Sequence, residues 1–151
     1  MPDALRQGLL EHKVDAILHL GDFTTLEAAE QLAEVAPLEA VAGNNDAGEV
    51  RARYGRQKIF SAAGFNIGMI HGDGAKGSTL ARACAAFSEG NVQAIAFGHS
   101  HVPYCHWHGG VLMINPGSPT ERRRNPLYSY AVLELWRSRI RPKLLFFADK
   151  R

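Results

Sequence analysis

Four apolar segments of this chain each end beside a glycine and a polar residue able to bind a metal. Residues 14–20 run into Gly21-Asp22, and residues 38–42 into Gly43-Asn44-Asn45-Asp46. Phe65–Ile70 runs into His71-Gly72, and residues 92–97 into Gly98-His99-Ser100-His101. Short runs rich in Val and Ile read as strands buried on both faces. Between them the periodicity is helical. Residues 2–13 carry Pro2 at a first-turn position and Leu5, Leu9 and Leu10 at helical spacing, while residues 25–35 place Leu26, Ala29, Leu32 and Ala33 on one face. Residues 49–54 and 78–87 read as shorter helices. Strands alternating with helices predict α/β layers. In open α/β sheets ligands bind beyond the strand C-termini, so four such endings are expected to converge on one point.

The rest of the chain is β-rich. Segment 57–62 pairs with Phe65–Ile70 around Gly64, and further strands are expected at 104–107, 111–114, 128–135 and 140–147. Gly109-Gly110 and residues 137–139 supply tight turns. No repeat, low-complexity stretch or linker interrupts the chain, so a single domain over 1–151 is expected. That length suffices for one core. A net charge of +2 is too small to point to a nucleic-acid partner. No run approaches the roughly 20 apolar residues of a membrane span. Cys84 and Cys105 lie in different segments without ligand spacing and read as free thiols. With no basic-then-apolar leader, the expected setting is cytoplasmic.

The converging set is Asp22, Asn44, His71, His99 and His101. Carboxylate, amide-oxygen and imidazole donors suit Mn, Fe, Zn or Ni, and no cysteine takes part. Singly, each residue has a plainer reading. Asp22 can cap the helix near Thr25, Asp46 and Glu49 have capping-box spacing, and a strand-end histidine can simply hydrogen-bond. Five at equivalent strand ends point instead to a shared cation. Competing signals are weaker. Residues 72–77 match G-x-G-x-x-G, but the next strand ends in Gly98-His99 rather than an acid, and Ser78 follows Gly77 where a Walker loop needs Lys. His106 and His108 share a strand face with Tyr104, as a solvated hairpin face or an accessory metal site. His19 reads as a packed strand residue, and Trp107 and Trp136 as packing residues. Arg122, Arg123 and Arg124 form a solvated basic loop or reach a substrate phosphate.

In this order, Gly21-Asp22, Gly43-Asn44-Asn45-Asp46, His71-Gly72 and Gly98-His99-Ser100-His101 resemble the calcineurin-like metallophosphoesterases, in particular their short bacterial and archaeal phosphodiesterase branch. Asn115-Pro116-Gly117-Ser118 is a further shared feature. The resemblance implies an α/β fold, a two-layer β-sandwich flanked by helices. It implies two divalent metal ions, Mn2+ first, with Ni2+, Zn2+, Fe2+ or Mg2+ as alternatives. Asp22 would bridge the ions, Asn44, His71 and His99 would complete one shell, and His101 would serve the other. Two ions about 3.5–4 Å apart hold a metal-bound hydroxide for in-line attack on phosphorus. The implied partner is a small phosphate ester, with a homo-oligomer left open and no membrane or specific nucleic-acid binding.

The chain departs from the family in two ways. The family opens with a strand ending in Asp-x-His, and none precedes the first helix here. On ligand count one ion keeps its shell while the other keeps Asp22 and His101, so a single ion is the alternative to two. The expectation is a domain incomplete at its N-terminus, whose natural start lies roughly ten residues upstream. Second, Asn45 stands where many relatives carry a histidine thought to protonate the leaving group. Asparagine cannot do so at neutral pH, although it can hydrogen-bond a phosphoryl oxygen. Asn45 is therefore the candidate catalytic residue, on esters with acidic leaving groups. The rival expectation is a non-catalytic scaffold that binds proteins, for which a retromer subunit resembling this family is a precedent.

Overall fold

The computed structural model describes residues 1–151. In chain order the elements are α1 (Asp3–Glu11), β1 (Ile17–His19), α2 (Leu26–Ala33), β2 (Leu38–Ala40), α3 (Gly48–Tyr54), β3 (Gln57–Ala62) and β4 (Phe65–Ile70). They continue with α4 (Thr79–Ala86), β5 (Ala94–Phe97), β6 (Tyr104–His108), β7 (Val111–Asn115), β8 (Tyr128–Trp136) and β9 (Arg139–Phe147). Local chemistry sets the helix starts. Thr25 and Ser78 cap α2 and α4 by accepting from the Ala28 and Ala81 amides at 3.4 and 3.1 Å.

Five strands form one sheet in the order β3-β4-β5-β7-β6, with β4, β5 and β7 parallel and β3 and β6 antiparallel at the edges. The parallel pair β1–β2 and the antiparallel pair β8–β9 form two separate ladders. Side-chain packing arranges these into layers. One face of the five-stranded sheet, through Ile67, Met69, Ala96, Leu112 and Ile114, packs against Leu20, Val41, Ile140 and the half-buried Leu133 and Leu135. Its other face carries Ile95, Phe97 and Met113 under Ala83 and Phe87. Leu5, Leu9, Ala29, Leu32 and Val50 cover the outer side of β1–β2. The result is helices, two β layers and a helix, which is the expected sandwich. Fully burying a side chain such as Ile67 or Leu112 contributes about 1.5–3 kcal/mol, and these two sit where the layers meet.

Three expectations need correction. The four strand ends do not line one open sheet: β1 and β2 belong to one layer, β4 and β5 to the other. The convergence therefore spans the sandwich, where two layers end side by side. Asp46 and Glu49 make no capping box, because the N-cap of α3 is Ala47 with no side-chain bond. Trp107 and Trp136 are surface residues, 54% and 58% exposed, on an edge strand and at a hairpin end. Aromatic character alone predicted burial, and sheet order decided otherwise.

Candidate metal centre

The candidate donors stand in loops that leave their strands abruptly. Asp22, His99 and His101 all have left-handed backbone, with φ of 60°, 62° and 60°. Such a conformation costs an L-residue about 1–2 kcal/mol, and non-glycine residues held there cluster at functional sites. The neighbouring glycines allow the backbones to close in. A β-carbon on Gly21 would lie 2.5 Å from the Gly43 amide nitrogen, and one on Gly98 would lie 3.1 Å from the Leu20 carbonyl oxygen.

Four side chains meet at this point. His71 Nε2 lies 3.1 Å from Asn44 Oδ1, 3.3 Å from His99 Nδ1 and 3.4 Å from Asp22 Oδ2. His99 Nδ1 lies 3.1 Å from Asn44 Oδ1. His, Cys, Asp and Glu side chains alone form no group of three that could hold a metal ion. The Asn44 oxygen, beside both imidazoles, is what joins the set.

The orientation of these groups follows from their outer partners. A carbonyl only accepts, so the His71 Nδ1–H donates to Leu20 O at 2.6 Å, which turns Nε2 toward the cluster. Asn44 Nδ2 donates to Asn45 Oδ1 at 3.2 Å, which turns the Asn44 oxygen the same way. Burial, and then the neighbouring His71, hold the His99 imidazole below its ordinary pKa, so it favours the neutral form that ligates metal. A carboxylate oxygen, an amide oxygen and two imidazole nitrogens thus crowd together. That arrangement suits a cation. Donors about 2.1 Å from one ion stand roughly 3.0–3.4 Å apart in octahedral or tetrahedral shells, which is the observed spacing. The residues present fit a divalent metal.

The remaining candidates lie around this centre. Asn45 donates from its backbone N to Asp22 Oδ1 and from Nδ2 to Asp22 Oδ2, both at 2.9 Å. His101 makes no recorded contact with the four. Its Nδ1–H donates to Glu121 O at 2.7 Å, leaving Nε2 as the available donor atom. His19 is a packed residue: its ring stacks on Phe23 at 3.7 Å and its Nδ1 accepts from the Gly21 amide at 3.2 Å. Tyr104 OH pairs with His108 Nε2 at 2.6 Å on the hairpin face.

Two supporting residues stood in the sequence within recognised motifs, Asp46 also with a capping-box reading, but their bracing roles were not expected. Asp46, 4% exposed, accepts from the amides of Asp22 at 2.8 Å, Gly43 at 2.7 Å and Thr24 at 3.2 Å, and so fixes the first loop against the second. Asn115, the first residue of the Asn115-Pro116-Gly117-Ser118 loop, is fully buried and donates to Gly98 O at 2.8 Å and Ser100 Oγ at 3.1 Å. Its own oxygen accepts from the Gly117 amide at 2.9 Å, so it braces the loop that bears His99 and His101.

Known proteins resemble this chain in sequence and in fold. Residues 1–138 match the calcineurin-like phosphoesterase superfamily domain. A probable metallophosphoesterase of Methanothermobacter thermautotrophicus is 33% identical over 115 residues, 73% of this chain and 63% of that protein. One from Methanocaldococcus jannaschii is 35% identical over 112 residues, 73% of this chain and 56% of that protein. The chain therefore spans about 63% and 56% of the length of these two relatives. The Zn2+ complex of Vps29 from Entamoeba histolytica superposes with a TM-score of 0.76 at 20% identity, over 97% of this chain and 89% of that one. A novel archaeal phosphodiesterase superposes with a TM-score of 0.74 at 18% identity, over 94% and 90%. At these identities the structural likeness speaks for the fold.

Proposed function

The chain belongs to the calcineurin-like phosphoesterase superfamily, and from that premise we propose that it is a metal-dependent phosphodiesterase. Asp22, Asn44, His71 and His99 would hold the cation. The observation that carries this reading is the spacing of 3.1–3.4 Å between lone-pair donors from four chain segments. When bound, a divalent cation such as Mn2+ supplies Lewis acidity to the phosphoryl oxygens and makes water acidic enough to act near neutral pH.

The chain's own residues do the rest. Leu20 O and the Asn45 amide orient His71 and Asn44, so the donor atoms face inward before any ligand arrives. Asn45 lies beside Asp22 at the exposed rim, where its Nδ2–H can turn to a phosphoryl oxygen. It has no proton to give a leaving alkoxide. Esters with acidic leaving groups are therefore the better substrates, which favours aryl phosphodiesters over alkyl monoesters. His101, whose Nε2 is not used in its bond to Glu121, would serve a second cation together with Asp22.

The test is Mn2+-dependent hydrolysis of bis(p-nitrophenyl) phosphate with metal content measured in parallel. Turnover lost in His71→Ala together with bound metal supports the reading. A wild-type protein that binds Mn2+ yet gives no turnover refutes it and favours the scaffold. The observation on that side is that His101 is anchored to Glu121 and not joined to the other donors.

A further inference from the structure

Beside His99 an open groove of about 560 Å³ runs between the start of α4 and the 100–104 segment. Its volume lies within the roughly 300–1,000 Å³ of small-molecule sites. Leu80, Val102 and Tyr104 give it apolar walls, Ser100 lies in its lining, and His99 and Arg123 border it. We propose that this groove seats the organic group of the phosphate ester as a flat aromatic ring, and that Arg123 binds the ester's anionic phosphoryl oxygens. The proposal rests on the phosphodiesterase reading and adds to it a substrate class and a binding residue.

Of the guanidinium groups at this groove, Arg123 is the freer. Arg82 also borders the groove, but its side chain donates to Gly72 O, Lys76 O, Gly77 O and Thr79 Oγ1 at 2.6–3.2 Å. Four of its five N–H groups are thus engaged, three of them in shaping the 72–77 loop. Arg122 donates to Pro126 O at 2.6 Å and lies over the Tyr128 ring at 5.4 Å. Arg123 has one recorded bond, from Nη1 to His99 O at 3.2 Å. That bond tethers the guanidinium to the backbone of a candidate metal donor and leaves its remaining N–H groups open to solvent, in a geometry suited to paired phosphate oxygens.

The walls select the organic group. The Tyr104 ring is fixed in place by its hydroxyl's bond to His108 Nε2 at 2.6 Å, so it offers a stacking surface with little conformational freedom left to lose. The Arg123 plane is a second such surface. Val102, 53% exposed, is an apolar side chain at the open side with no protein partner burying it. A flat ring covers these surfaces together, whereas a small alkyl group leaves them wet.

The experiment reads binding apart from turnover. Dissociation constants of phenylphosphonate and methylphosphonate are measured by calorimetry or NMR on the Mn2+-supplemented wild type and on Arg123→Ala, Arg123→Lys and Val102→Asp. The changed residues are exposed, and thermal melts confirm that the variants fold. Phenylphosphonate is expected to bind at least tenfold tighter than methylphosphonate. Val102→Asp should remove most of that preference. Arg123→Ala should weaken both ligands at least fivefold, with partial recovery in Arg123→Lys, and should raise KM for bis(p-nitrophenyl) phosphate more than it lowers kcat. Equal affinity for the two phosphonates, no detectable binding of either at millimolar concentration, or full affinity in Arg123→Ala overturns the proposal. A wild type that binds phenylphosphonate through Arg123 without hydrolysing esters sinks the enzymatic reading and leaves the groove assignment standing. Hydrolysis without ring preference does the reverse.

Discussion

Replacing Asp46 with alanine should destabilise the protein by about 3–4 kcal/mol and weaken metal binding, although Asp46 is not a proposed ligand. Its carboxylate accepts from three backbone amides, those of Asp22, Gly43 and Thr24. A hydrogen bond to a charged group contributes about 1.5–3 kcal/mol, and a buried donor left without a partner costs about 1–3 kcal/mol. Gly43 is buried and bears the full loss. Thr24 is exposed and recovers a partner from water, and Asp22 is intermediate. The sum is large against the roughly 5–15 kcal/mol that holds a domain folded, but it should leave the variant native in buffer. With a urea m-value of about 2 kcal/mol/M, the unfolding midpoint should fall by about 1.5–2 M. Asp46→Asn keeps one acceptor oxygen but turns an NH2 toward an amide N–H, and should lose about half as much. The left-handed turn at Asp22 is held from outside by these bonds, so metal affinity should drop by about 10–100-fold, the usual effect of losing an outer partner. A loss below about 1 kcal/mol with an unchanged m-value would refute the reasoning, because the three amides would then have other acceptors.

Two further outcomes follow from the same contacts. In Gly43→Ala the new β-carbon would lie 2.5 Å from the Asp22 amide nitrogen, so Asp22 must move; we expect at least tenfold weaker Mn2+ binding by calorimetry, and unchanged affinity would contradict the close loop packing. Burial, against the smaller opposing pull of Asp46, lowers the His19 pKa from 6.5 to about 4. The folded state then binds fewer protons than the unfolded state between these values. Its contribution is complete above pH 6.5 and is lost as pH falls toward about 4. Metal-free protein should lose about 2 kcal/mol from this source between pH 7 and pH 5, with a flatter slope in His19→Asn. The His19 ring resonance followed by NMR checks it directly, and a titration midpoint near 6.5 would contradict the burial.

Much of the fold was legible because its signals are local. The spans of β3 and β4 follow from two strand-like runs around a turn at Gly64, and helices were read from Thr25 and Ser78, the residues that cap α2 and α4. The four strand-end donors were legible because glycine and a polar group recur together. What escaped depends on approach between distant segments. Asp46 sits two residues before α3 begins at Gly48, and nothing in that stretch tells that its carboxylate bonds back to residues 22 and 24. Arg82 and Arg123 look alike in sequence. One is consumed by a glycine loop and the other is left free, and only the folded contacts separate them. Trp107 and Trp136 were misread because exposure is set by sheet order, which a pattern of residue types does not encode.

The left-handed backbone at Asp22, His99 and His101 gives a way to read the history of such a chain. Glycine would relax all three positions at no steric expense, so a descendant relieved of any need for these donors would drift toward glycine there and grow sturdier. Aspartate and histidine at these positions carry a strain that glycine would not, one that the proposed cation would offset when bound.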